Sequence, residues 1–192
     1  MNNSFFALIF RQKYIKRWGL MRNVNDENLA EHAAEVAMIT HALATIGNLY
    51  LSKNYDVGKA VSAALFHDVS EVYTGDLPTP IKYSSTELRS RYKDIEKAAE
   101  NTLLDHLPQD MRAEYERVLR IEEQEIKHLV KAADKLCAYI KCIEEEKCSN
   151  FEFKEAKKAT YEALKESNCP ELDIFMETYL DSFSLTLDEM QK

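Results

Sequence analysis

Residues 64–80 read ALFHDVSEVYTGDLPTP. An apolar run at helical spacing, Val57, Val61 and Ala64, continues onto Asp68 and Glu71, where a buried face is expected. His67 lies four residues before Glu71 and one helical step, about 100°, from Asp68. This predicts a helix from just after Asp56 to about Tyr73, with three ionisable groups crowded near its C-terminal end. Burying unpaired carboxylates is costly, so such groups are paired or bound to a metal. No Lys or Arg shares that face of the helix, which leaves a salt bridge within the helix without a cation.

The pattern on either side is helical too. Apolar spacing predicts helices over 4–17, from the start signal NDEN (25–28) to about Gly47, and over 86–107, 109–120, 122–147, 152–166 and 171–181. Gly19 is read as the stop of the first helix. SLTLDEM (184–190) is read as a last turn. Gly and Pro number only four each among 192 residues, too few to punctuate an all-β chain. With no repeat, low-complexity run or linker, the expectation is an all-α helical bundle, one domain spanning residues 1–192.

Composition excludes some partners. A net charge of −8 repels a polyanion, so no nucleic-acid polymer is expected, although a few local cations can hold a small phosphate. FFALIF (5–10) is too short for a signal peptide, and no run approaches the roughly 18–20 apolar residues that span a bilayer. A cytoplasmic protein is expected. Cys137 and Cys142 fall inside a helical pattern as packing thiols, and the acidic runs EEQE (122–125) and EEE (144–146) read as solvated helix faces.

Two further polar groups break apolar stripes. His32 lies between Leu29 and Val36 on the inner face of the second helix, whose stripe is Leu29, Ala33, Val36, Thr40 and Leu43; His41 turns outward. Alone, an inward His is a core histidine as readily as a ligand. Asp134 stands on the shoulder of the stripe Ile126, Val130, Ala133, Cys137 and Ile140, flanked by Lys131 and Lys135, which offer it a local ion pair. Taken together, His32, His67, Asp68 and Asp134 are two imidazoles and two carboxylates, a mixed set suited to first-row divalent ions. Two ionised carboxylates would balance the charge of such an ion.

The sequence resembles the HD-domain metal-dependent phosphohydrolases, an all-helical superfamily named for its adjacent His-Asp pair. It is most similar to the bacterial 5′-deoxynucleotidases, which remove phosphate from deoxyribonucleoside 5′-monophosphates. The stretches carrying this are RWGLMRN (17–23), ENLAEHAAEVA (27–37), HDVSEVYTGDLPTPIKY (67–83) and KAADKLCAYIKCIEE (131–145), and the likeness continues to SFSLTLDE (182–189). The resemblance implies one divalent metal ion, cobalt, manganese or copper, held by His32, His67, Asp68 and Asp134. It implies that Glu71 activates water, that Arg17 holds the phosphate and that Trp18 meets the sugar. Asp76, Leu77, Pro78 and Thr79 would close over the nucleotide, with Asp76 serving the leaving 5′-oxygen or the sugar 3′-hydroxyl. Asp68 and Asp134 would also face substrate. A cytoplasmic homodimer is implied as well. Other readings remain: an HD phosphohydrolase for a triphosphate, cyclic dinucleotide or alarmone, or a non-catalytic nucleotide-binding module. Read locally, Arg17 is also a helix C-terminal cation, and Trp18 a packing anchor.

Overall fold

The computed structural model describes residues 3–82 and 84–192, apart from the Thr79 side chain. The chain is an all-helical bundle built around a central helix, α2 (Leu29–Tyr50). Its start is set locally. The Asn28 side chain accepts from the backbone N–H of Ala30 and Glu31, and Glu31 reaches back to the Asn28 N–H. Leu29, Ala33, Val36, Thr40 and Leu43, the inner stripe expected from spacing, are all buried, and His41 is exposed.

Against α2 pack α3 (Val57–Leu65), α8 (Gln124–Lys147) and α10 (Pro170–Tyr179). Small side chains on α3, Ala60, Ala63 and Ala64, let the two helices approach closely, while Leu129, Ala133 and Leu136 of α8 and Leu172 and Phe175 of α10 close the core. Each fully buried Leu there contributes roughly 1.5–3 kcal/mol. A second core joins Phe5 of α1 (Phe5–Ile9) to Val69, to Leu103 and Leu104 of α6 (Thr86–Leu104) and to Leu107. The aromatic ring of Tyr115, from α7 (Gln109–Leu119), meets Phe5 edge-on with centroids 4.9 Å apart. Helix α9 (Lys154–Lys165) packs on α8, and the expected last turn forms as α11 (Leu187–Met190).

The tertiary structure corrects three local expectations. The helix expected over 4–17 stops early: α1 passes into a 3-10 turn, Phe10–Tyr14, and Ile15 is already extended. Residues 15–17 instead pair with 27–29, through Leu29 N–H to Ile15 O at 2.9 Å and Arg17 N–H to Glu27 O at 3.0 Å. Backbone pairing across the chain overrides local helical spacing, and neither Gly19 nor a helix C-terminus explains Arg17. The helix expected to run to Tyr73 ends at Leu65. There the His67 ring takes the Ala64 carbonyl through Nδ1 at 2.7 Å, and Phe66 leaves the helical region. Residues 66–70 are a string of turns, followed by the short α4 (Glu71–Thr74). Gly75 closes α4 at φ 72° and ψ 165°, a conformation open to glycine alone, and so releases the loop that carries Asp76. Thirdly, Glu145 of the EEE run is fully buried rather than solvated, as the EEQE run is.

Gly47 marks a close approach of α2 to Tyr55. A Cβ on Gly47 would stand 2.5 Å from the Tyr55 ring, whose hydroxyl donates to Glu171 at 2.8 Å. Gly47→Ala is therefore expected to lose about 1–3 kcal/mol in a urea melt. Stability equal to wild type would show that the ring moves aside freely.

Candidate active site

Five elements meet at one end of α2. His32 comes from its second turn, Asp134 from α8, His67 and Asp68 from the turns after α3, Glu71 from α4, and Arg17 from the extended segment. The break at Leu65 makes this possible, because it turns both His67 and Asp68 toward α2.

The ligand atoms of His32, His67 and Asp68 all lie within 4.8 Å of one another. His67 Nε2 is 3.0 Å and His32 Nε2 is 4.0 Å from Asp68 Oδ2. Asp134 adjoins this trio, with Oδ1 3.1 Å from His32 Nε2. The local ion pair open to Asp134 in the sequence does not form with Lys135, whose ammonium donates to the Ala163 carbonyl. Both imidazoles turn Nδ1 outward, His67 to Ala64 O and His32 to within 3.2 Å of Glu27 Oε1, so their Nε2 atoms face the carboxylates. Buried His67 Nε2 has Asp68 Oδ2 as its near neighbour, 3.0 Å away but out of line for a good hydrogen bond. Two nitrogen lone pairs and carboxylate oxygens facing one centre fit a divalent cation well.

The electrostatics agree. Burial opposes the charge on Asp68, but the neighbouring imidazoles and Arg17 hold its carboxyl well below the usual range, and His32 does the same for Asp134. Burial also opposes a charged His67, yet Asp68 and Asp134 raise it to about 9. The site thus concentrates negative charge that attracts a proton or a cation.

Glu71 is 4% exposed, with Oε2 unpartnered. Burial first, then the charges of Asp68 and Asp76, push its carboxyl up to about 9. Lys82 stands 4.0 Å from Glu71 Oε1, ion-paired to Glu96 at 2.9 Å, and opposes that rise. Arg17 ion-pairs with Glu27 at 3.2 Å and reaches Asp68 at 3.8 Å. Its charge is held against burial by Glu27, Asp134, Asp76 and Asp68.

Trp18 follows Arg17 at φ 57°, a left-handed backbone that costs a non-glycine residue about 1–3 kcal/mol. Its indole N–H donates to Glu27 Oε2 at 2.7 Å, and the ring leans on Phe153 with centroids 5.2 Å apart. Asp76 faces the Trp18 backbone N–H and Arg17. Leu77 and Pro78 are half-buried in the same loop, before the short α5 (Thr79–Lys82). What was expected of the Thr79 side chain lies outside the described residues.

Glu27, Lys82 and the Lys141–Glu145 pair escaped the sequence reading. Glu27 precedes the capping residue, where acidic groups are ordinary, and only its three partners mark it out. Glu145 had a signal: it lies four residues after Lys141, the spacing of a helical ion pair. Cys137, Cys142 and Cys169 are buried, and burial pushes the Cys142 thiol up to about 11 and the Cys169 thiol to about 12, which leaves both unreactive near neutral pH.

Helical bundle and histidine–aspartate cluster together place the protein in the HD-domain phosphohydrolase class. An HD-domain phosphohydrolase from Listeria innocua shares the fold with a TM-score of 0.83 at 19% identity, covering 98% of this chain and 92% of that one. A cyanophage S-2L HD phosphohydrolase (DatZ), solved with dA and one catalytic Zn2+ ion, aligns with a TM-score of 0.66 at 21% identity over 92% of this chain and 96% of its own.

A profile of 5′-deoxynucleotidase YfbR-like proteins matches residues 4–183. A 5′-deoxynucleotidase of Erwinia tasmaniensis is 43% identical over 194 residues, covering 100% of this chain and 98% of that protein. One of Yersinia pestis is 45% identical over 190 residues, covering 98% and 96%. The chain belongs to the YfbR-like 5′-deoxynucleotidase family.

Proposed function

We propose that the protein is a metal-dependent 5′-deoxynucleotidase, hydrolysing deoxyribonucleoside 5′-monophosphates to deoxyribonucleosides and phosphate. The observation that carries this is the His32–His67–Asp68 trio within 4.8 Å, set between Arg17 and Glu71. Membership of the family supplies the substrate class.

His32, His67, Asp68 and Asp134 would hold one divalent ion, which when bound acidifies water and screens phosphate charge. Cobalt, manganese or copper are our candidates for the ion. Arg17 neutralises the phosphate dianion by charge-assisted hydrogen bonds. Glu71 accepts the proton of the attacking water, whose oxygen forms the new bond to phosphorus as the bond to the 5′-oxygen breaks. The 5′-oxygen leaves as the alcohol, taking a proton from Asp76 or the proton that Glu71 has accepted from the water. Asp76, fixed beside the Trp18 backbone, takes the sugar side with Trp18, Leu77 and Pro78. Asp68 and Asp134 would also face the substrate.

Residues 1–192 would act as one HD-type domain, in the cytoplasm and as a homodimer. Phe6, Phe10 and Tyr14 are exposed aromatic side chains near the N-terminus that a second copy would cover. No helix among the described residues is long and apolar enough to cross a membrane.

A phosphate-release screen of ribo- and deoxyribonucleoside 5′-monophosphates against several divalent metals tests the proposal. Deoxy substrates are expected to be hydrolysed preferentially. Release of triphosphate or pyrophosphate from other nucleotides, or no release with metal bound, would overturn it. Trimming Trp18 to Leu is expected to narrow the ratio of kcat/KM between deoxy and ribo substrates. An unmoved ratio would remove Trp18 as the sugar sensor.

A further inference from the structure

Three side chains of the site converge on a carboxylate to which the proposed chemistry gives no role. Glu27 is 8% exposed. Its Oε2 accepts the Trp18 indole N–H at 2.7 Å, and its Oε1 lies 3.2 Å from both Arg17 Nε and His32 Nδ1. The Trp18 indole makes a full hydrogen bond, Arg17 Nε is a donor by its chemistry, and His32 Nδ1 is one in the tautomer that leaves Nε2 free, while a carboxylate is acceptor on both oxygens. Burial opposes its charge, but His32, Arg17 and Trp18 hold the carboxyl below its ordinary range. Its backbone takes part as well, since the Glu27 carbonyl accepts the Arg17 N–H at 3.0 Å, and the flanking residues Lys16 and Asn28 form an antiparallel bridge.

We propose that Glu27 is the positioning residue that couples the metal ligand His32 to the substrate-facing pair Arg17 and Trp18. By drawing Nδ1–H of His32 outward, it leaves the Nε2 lone pair for the cluster. By engaging Nε of Arg17, it leaves the terminal guanidinium nitrogens for a phosphate. By fixing the indole, it sets the face presented to the sugar. This rests on the deoxynucleotidase reading for the roles of Arg17 and Trp18, but the coupling to His32 does not.

Glu27→Gln is the sharp test, because it keeps the shape and turns an amide NH2 toward one of three donors. In calorimetric titration with Zn2+, affinity is expected to fall roughly 10–100-fold relative to wild type, with circular dichroism unchanged. Trp18 is the only tryptophan, so its emission reports the coupling directly. Zn2+ is expected to shift that emission in wild type and to leave it unmoved in Glu27→Gln. Glu27→Asp, which keeps two acceptor oxygens, should recover part of the affinity. Wild-type Zn2+ affinity and an intact emission response in Glu27→Gln would overturn the proposal.

Should the Gln variant fail to fold, the wild-type protein still decides. Nitrogen-15 shifts of His32 are expected to show the proton on Nδ1, and a proton on Nε2 in the metal-free protein at alkaline pH would overturn the coupling. These readouts need no nucleotide. If wild type shows them and releases no phosphate from any deoxynucleotide, the functional reading fails and the positioning role of Glu27 stands.

Discussion

Glu71→Gln will bind metal as wild type does and lose roughly 10²–10⁴-fold in kcat, the range a positioned general base contributes. The carboxylate is buried one turn beyond the His-Asp pair, with one oxygen unpartnered and aimed at no protein donor. Burial and the charges of Asp68 and Asp76 raise it to about 9, so without a cation nearby it carries its proton at neutral pH. A divalent ion at the cluster would draw it back toward the ionised form a base needs.

The sign for stability follows from the same shift. A carboxyl held above its unfolded value costs nothing at low pH. Its cost grows as pH rises past about 4.3, where the unfolded chain ionises and the folded one does not. Metal-free Glu71→Gln should therefore melt no lower than wild type at pH 7. Metal content by elemental analysis and single-turnover phosphate release check the rest. A variant that binds metal and keeps most of its turnover would remove Glu71 from the chemistry.

Glu145→Ala will be among the most destabilising single changes away from the site. The side chain is fully buried; it pairs with Lys141 at 2.5 Å, and accepts the N–H groups of Val24 and Asn25 at 2.9 and 3.1 Å and the Asn150 amide at 2.7 Å. Lys141 in turn donates to the Asn25 carbonyl. Truncation leaves a buried ammonium without its counter-charge and two loop N–H groups without acceptors. Breaking such a pair costs about 3–5 kcal/mol, which for a chain of this size lowers Tm by on the order of 10 °C.

These bonds outweigh burial and hold the Glu145 carboxyl at about 2 against an ordinary 4.5. Its contribution is therefore complete above pH 4.5 and disappears as pH falls through 2. That difference is worth roughly 3 kcal/mol. Wild type should lose stability more steeply than Glu145→Ala across that window in acid titrations followed by circular dichroism. Parallel curves would show that the pair adds nothing. Lys141→Met combined with Glu145→Leu should regain much of the loss, because two matched apolar groups remove both buried charges. The loop held here, residues 22–25, leads directly to Glu27, so the α8 that presents Asp134 also braces the segment bearing Arg17 and Trp18.

Much of this molecule is legible in the residue order. The helical class, the capping box at Asn28, the buried stripe of α2 and the inward turn of His32 follow from spacing, because a continuous helix converts sequence position into direction. Spacing also points to the gathering of His67, Asp68 and Glu71, though the helix expected to carry them ends at Leu65. Turns produce the same convergence, by swinging the pair toward α2 once the His67 ring has taken the Ala64 carbonyl.

Other features have no local signature. Arg17 lies outside the helix expected over 4–17 because its segment pairs with residues 27–29, and Glu145 is buried because its acceptors serve a loop some 120 residues earlier. Periodicity reports where a side chain points from its own helix; it carries no information about which distant donor waits there. For charged groups that partner decides everything, since the same carboxylate is a solvated surface group alone and a buried anchor once its donors are supplied.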